Sequence, residues 1–155
     1  MLPFRHNHPN FWRFQERFTQ CFVVYDLPVS YTKDNCPFCL LPKEEILYSS
    51  DLVISFHDRF PVSPGHTLII TKRHIPSFFE ASEEERKAID VALQEMKVFL
   101  DEKFLPDGYN IGVNCGETAG QSVPHLHVHL IPRYKGDMQN PKGGVRGVIP
   151  SKQSY

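Results

Sequence analysis

The sequence predicts an α+β domain, a mainly antiparallel sheet of about five strands packed against one long helix. Runs rich in β-branched and aromatic residues recur at "EILYSS", "DLVISFHD", "HTLIITKRH", "YNIGVNCG" and "PHLHVHLIPRY". Only the segment from Ser82 to near Phe104 has helical spacing, and it lies between the third and fourth of these runs. The length of 155 residues is that of one ordinary domain, long enough to bury a substantial core.

The first two strands meet at a Ser-Ser-Asp turn, and "RFPVSPGH" is a loop punctuated by Pro and Gly that feeds the apolar strand "HTLIITKRH". Ser82 followed by Glu85 is a capping-box signature. Behind it Ile89, Ala92, Met96, Phe99 and Leu100 repeat at helical spacing, and "LPDGY" stops the helix. A fourth strand follows, then the Gly-bearing loop "ETAGQSV", the last strand, and an extended Gly- and Pro-rich end. Residues 1–31 are aromatic and basic and read as an N-terminal extension, with a short helix possible over "PNFWRFQERFTQCF". The domain itself is expected over 32–155.

A formal net charge of −1 lacks the basic excess of a bulk nucleic-acid binder. The charge is uneven, however: Arg133, Lys135, Lys142, Arg146 and Lys152 stand against Asp137 alone, a basic tail that is either solvated or drawn to a polyanionic ligand. "MLPFRHNHPNFW" has no continuous apolar run of the signal-peptide kind, and no segment approaches the length of a membrane span. The expected setting is therefore cytoplasmic, without a membrane partner, where thiols stay reduced.

In "HLHVHLIP", His125, His127 and His129 alternate with Leu126, Val128 and Leu130, so in a strand the histidines share one face and the apolar residues the other. The apolar face suits the core against the helix. Residues two apart lie about 6.6 Å apart along a strand and the outer pair about 13 Å. One zinc holds its nitrogens at about 2.0–2.1 Å, so this strand alone does not make a three-histidine metal centre. A nucleophile with helpers fits better. A neutral imidazole attacks well near neutral pH when one ring nitrogen is held and the other is free, and flanking histidines supply protons or hydrogen bonds. The preceding "NCGETAGQSV" offers backbone N–H groups, the Gln121 amide and the Ser122 hydroxyl to a phosphate.

"HLHVHLI" follows the pattern His-apolar-His-apolar-His-apolar-apolar, and with it the sequence resembles the histidine triad (HIT) family. The resemblance extends through "FHDRFPVSPGHTLIITKRH", the long helix, "NCGETAGQSVPHLHVHLIPR" and the "GD…GGVR" tail, covering about residues 35–148. It implies a nucleotide hydrolase or transferase working through a covalent nucleotidyl-histidine, commonly a homodimer. By the same resemblance His127 is the nucleophile, His129 assists the leaving group and His66 of "PGHTL" is the fourth histidine of the site. Gln121, Ser122 and Asn114 contact the phosphates, and Asp58 of "FHDRF" binds the ribose hydroxyls. On the residues alone, Asp58 also reads as a turn residue beside Arg59.

"CPFC", Cys36 to Cys39, is either a metal knuckle or a redox pair, and no thioredoxin-like pattern surrounds it. Zinc-containing bacterial members of the family resemble this arrangement of a Cys pair with two distant histidines. The resemblance implies a structural zinc on Cys36, Cys39, His74 and His125, with four protein ligands and no open position. Cys21 and Cys115 stand alone and read as packing residues. The leading expectation is hydrolysis of dinucleoside polyphosphates such as diadenosine tetraphosphate, a nucleotide substrate rather than a nucleic acid. Nucleoside phosphoramidates, a phosphorylase using inorganic phosphate, a nucleotide-binding module without turnover, and a zinc module unconnected with nucleotides are the alternatives.

Overall fold

A computed structural model describes residues 32–155, and the expected extension at 1–31, with its short helix and Cys21, lies outside the described residues. Five strands form the sheet: β1 (Ile46–Ser49), β2 (Val53–His57), β3 (Thr67–Thr71), β4 (Gly108–Val113) and β5 (His127–Arg133). Their order is β1-β2-β3-β5-β4, and every neighbouring pair is antiparallel. The β1–β2 turn is drawn tight by Ser50, whose hydroxyl accepts from the N–H of Val53 at 3.2 Å. The 22-residue helix α1 (Glu83–Phe104) crosses between β3 and β4.

The helix begins where the capping box was expected. Ser82 Oγ accepts from Glu85 N at 3.2 Å, and Glu85 Oε2 accepts from Ser82 N at 2.8 Å. Glu85 is buried and also accepts two bonds from Arg73, at 2.9 and 2.7 Å, which ties the exit of β3 to the start of α1. Leu105, left-handed at φ 51°, ends the helix ahead of Pro106, which disfavours helical backbone in the residue before it.

Ile89, Ala92, Met96 and Leu100 of α1 form one core with Leu126, Val128 and Leu130, so the apolar face of "HLHVHLI" does pack under the helix. The opposite face is less bare than the alternation of histidines suggests. His127 pairs with Ile70 and His129 with Leu68, and these continue across β2 to Ile54 and Phe56. Phe38, Leu41 and Ile46 pack on that apolar group, laying the segment around the cysteine pair against the histidine face.

The last strand is also shorter than its sequence pattern. It starts at His127, because β3 ends at Thr71 and Leu126 N bonds instead to Ile75 O, at 2.6 Å, beyond β3. His125 therefore precedes the ladder that holds His127 and His129.

Candidate active site and metal centre

Cys36, Cys39, His74 and His125 converge, although they come from a loop, the exit of β3 and the entry to β5. Their ligand atoms all lie within 4.8 Å of one another. The sulfur-to-nitrogen distances are 3.4 Å from Cys36 to His125 Nδ1, 3.3 Å from Cys39 to His74 Nδ1 and 3.5 Å from Cys39 to His125 Nδ1. A tetrahedral zinc with sulfur at about 2.3 Å and nitrogen at about 2.05 Å would separate them by about 3.6 Å, so the donor set fits such an ion. The tautomer fits as well. His125 Nε2–H donates to Thr71 O at 2.7 Å, leaving the Nδ1 lone pair facing the sulfurs. Burial lowers the pKa of His125 to about 4, keeping it the neutral imidazole a metal requires. Burial and the adjacent Cys36 push the Cys39 thiol up to about 11, and a bound dication would reverse that by taking the thiolate as ligand.

The same histidine holds its neighbour. His127 Nδ1 lies 2.7 Å from the backbone oxygen of His125. A carbonyl can only accept, so Nδ1 carries the proton and Nε2 presents its lone pair. Phe38, between the cysteines, sets its ring edge-on to both histidines, with centroids 5.2 Å from His127 and 6.0 Å from His125. The cysteine segment thus bears on the candidate nucleophile directly.

His129 is oriented from the other side. Val62 N–H donates to His66 Nδ1 at 3.3 Å, so His66 Nε2 carries the proton and donates to His129 Nδ1 at 3.0 Å. That leaves His129 Nε2–H as a free donor. Burial, with repulsion from His127 and His66, lowers the pKa of His129 to about 4, so it donates as a neutral ring. Burial also lowers that of His66, against the opposing pull of Asp58. The loop carrying His66 is closely fitted. Gly65 has φ 82°, and a Cβ there would stand 3.1 Å from both Leu100 and Phe104. Ser63 Oγ donates to Pro132 O at 2.7 Å, and Tyr134 Oη donates to Pro64 O at 2.9 Å.

A pocket of about 310 Å³ opens over these histidines. Phe38, Leu41, Phe56 and Leu68 make an apolar wall, while His127, His129 and Ser122 line it together with Asp58. Asp58 is a turn residue, as one of its two sequence readings has it. Its Oδ1 accepts from Phe60 N at 2.8 Å within the turn, and its Oδ2 stands 3.5 Å from His66 Nδ1. Gln121 ties its loop to the segment after β3: its Oε1 accepts from Gly116 N at 2.7 Å and its Nε2 donates to Pro76 O at 2.6 Å. Asn114 lines a separate cavity beside His129. In the basic tail Arg133 is paired with Asp137 and Arg146 donates to the carbonyls of Lys152 and Gln153, so two of its cations are held locally. The aromatic wall was not anticipated. Its one sequence signal was the Phe inside "CPFC".

An antiparallel sheet under one helix, with His127 and His129 side by side on one strand, matches a known family. The HIT domain matches residues 42–136, more than half of the chain, and the chain belongs to the HIT family. "Protein hit" of Bacillus subtilis is 40% identical over 109 residues, covering 67% of this chain and 75% of that one. A bis(5'-adenosyl)-triphosphatase of Dictyostelium discoideum is 34% identical over 101 residues, 65% of this chain and 68% of that one. A crystal structure of a zinc-bound histidine triad family protein from Mycobacterium smegmatis superposes with a TM-score of 0.63 at 28% identity, covering 70% of this chain and 82% of that one. Among the described residues no helix is long and apolar enough to cross a membrane.

Proposed function

We propose that this protein hydrolyses dinucleoside polyphosphates through a covalent nucleotidyl-His127 intermediate. The observation that carries the reading is the bond from His127 Nδ1 to the oxygen of His125, which fixes the tautomer and turns Nε2, with its lone pair, into the pocket. The apolar wall of Phe38, Phe56 and Leu68 suits a nucleobase, Asp58 suits the ribose hydroxyls, and Ser122 suits the phosphate.

His127 Nε2 attacks the phosphorus of the bound nucleotide. A phosphorus–nitrogen bond forms as the phosphorus–oxygen bond to the rest of the chain breaks, and the electron pair leaves on that oxygen. The neutral His129 Nε2–H donates a hydrogen bond to the departing oxygen. Water then attacks the same phosphorus, the phosphorus–nitrogen bond breaks, its electron pair returns to Nε2, and the proton of the water passes to solvent. Zinc at Cys36, Cys39, His74 and His125 would act as a cross-link, fixing the His125 carbonyl that positions His127. A reducing cytoplasm suits the free thiols, and a twofold dimer is part of the same reading.

The name of the Dictyostelium relative supports this substrate class. Turnover of diadenosine tetraphosphate in heavy-oxygen water tests it. One heavy oxygen should enter the mononucleotide released from the attacked end, and added inorganic phosphate should not redirect product to the nucleoside diphosphate. Redirection would make phosphate the acceptor; nucleotide binding without product would mark a binding module.

A further inference from the structure

A second groove, of about 640 Å³, shares Phe38 and Leu41 with the nucleotide pocket. It runs along β1, past Ile46 and Leu47, and reaches Cys39. The charged residues that line it are Lys43 and Lys72, both exposed, and no acid lines it among the described residues. Lys33 and Asp34, the charges that Cys39 feels from its own segment, oppose one another.

The two cysteines of the candidate metal cluster are not equally placed. Cys36 is fully buried, whereas Cys39 is partly exposed and opens on the groove. Neither lysine lines the nucleotide pocket, and a structural zinc has no need of a reachable sulfur. Thiol–disulfide exchange is governed by access and by which sulfur is attacked, and a cleft lined by one sign of charge concentrates the opposite sign.

The geometry points to Cys39 as the point of attack on a small anionic disulfide, one that carries carboxylates as glutathione disulfide does, and to Phe38 as the link from that exchange to the nucleotide pocket. The Cys39 sulfur attacks one sulfur of the small disulfide, whose S–S bond breaks with the electron pair leaving on the other half as a thiolate. The Cys36 sulfur then attacks the Cys39 sulfur, the mixed disulfide breaks, and the second half leaves as a thiolate. Each cysteine attacks as its thiolate, and any proton it held passes to a departing thiolate. The two cysteines lose two electrons in all, and the small disulfide gains them.

The ligand atoms of the cluster stand within 4.8 Å of one another, whereas a disulfide holds its sulfurs about 2.05 Å apart. Closing it draws Cys36 and Cys39 together around Phe38, whose ring lies 5.2 Å from that of His127 and forms part of the apolar wall. It also takes both sulfurs from the donor set that His125 completes, and the carbonyl of His125 is what holds His127. The exchange itself does not depend on the nucleotide reading; its effect on the pocket rests on it.

The test incubates zinc-loaded, full-length protein at low salt with glutathione disulfide or with cystamine, a disulfide whose ends are cationic. Metal release is followed with a chromogenic chelator, and the modified cysteines are mapped by peptide mass. Glutathione disulfide should place a mixed disulfide on Cys39 and none on Cys36, then a Cys36–Cys39 disulfide with loss of the metal. In the exposed double variant Lys43→Glu, Lys72→Glu, the release rate with glutathione disulfide divided by that with cystamine should fall by about tenfold or more, as when a charged patch that steers association is reversed. The oxidised wild type should bind adenosine monophosphate about tenfold more weakly than the reduced, the order of worth of an aromatic contact. Metal retained under excess glutathione disulfide, a first adduct on Cys36, or a rate ratio unchanged in the variant would overturn the site of attack. Full oxidation with unchanged nucleotide affinity would overturn the link to the pocket. Reduced protein that fails to bind the nucleotide would overturn the nucleotide reading and that link with it, while the metal and mass readouts still decide the exchange.

Discussion

His127 and His129 differ in what each nitrogen is left to do. The carbonyl of His125 makes His127 a ring with a free lone pair, while His66 makes His129 a ring with a free N–H. The spacing of "HLHVH" predicts that these two rings share a face, but it carries no information on tautomers, because those depend on a carbonyl and on the Pro-Gly loop bearing His66, 63 residues away from His129. Asp58 was legible as a turn residue or as a ribose contact; in the structure one carboxylate oxygen accepts within the turn, the other faces His66 at 3.5 Å, and the residue lines the pocket. If the ribose reading holds, Asp58→Ala removes contacts made equally in substrate and transition state. It should raise KM about tenfold, the worth of one hydrogen bond to a charged group, with little change in kcat in steady-state kinetics. A large fall in kcat at constant KM would instead make Asp58 the partner of His66.

Among the elements, α1 was the most legible, since Ser82, Glu85 and the apolar repeat lie within one stretch of sequence and depend on no distant partner. The strands were legible in type and less so in extent: β5 begins three residues later than the pattern beginning at Pro124 because β3 runs out opposite it. Glu85 joins the two kinds of element. Its carboxylate caps the helix and binds Arg73, and the bond to Arg73 holds its pKa below the ordinary 4.5. A carboxylate with a depressed folded pKa stabilises fully above its unfolded value, and that stability drains away as the pH falls through the folded one. Glu85→Gln should therefore cost about 1–2 kcal/mol near neutral pH, the worth of a cap and a charge-assisted bond. The gap between wild type and variant in urea unfolding should close as the pH drops below the carboxylate range. A gap independent of pH would mean that the charge on Glu85 contributes nothing.

At the scale of the whole molecule, the candidate metal cluster and the pocket form one piece. Phe38 lies between two candidate ligands and against the candidate nucleophile, and His125 contributes its ring to one site and its carbonyl to the other. The family resemblance named the four candidate ligands, with "CPFC" as the signal in the sequence itself, and their ligand atoms converge. The sequence could not show that the histidine face would be covered by apolar residues of the cysteine segment, since that covering follows from tertiary packing. If zinc fills the centre, the freshly purified protein should hold about one ion per chain by elemental analysis. Stripping it should lower the melting temperature and weaken nucleotide binding together, because the aromatic wall loosens with the knuckle. Metal-free protein of unchanged stability and affinity would separate the two sites.

The central claim is that His127 becomes covalently nucleotidylated, and intact-mass analysis of protein quenched during turnover of diadenosine tetraphosphate tests it most directly. The account predicts a species heavier by one adenylyl group, labile to acid as a phosphorus–imidazole nitrogen bond is, mapping to the peptide that contains His127. His127→Asn should bind the substrate and never carry the adduct. Turnover by His127→Asn at near the wild-type rate, or an adduct on any other residue, would contradict it.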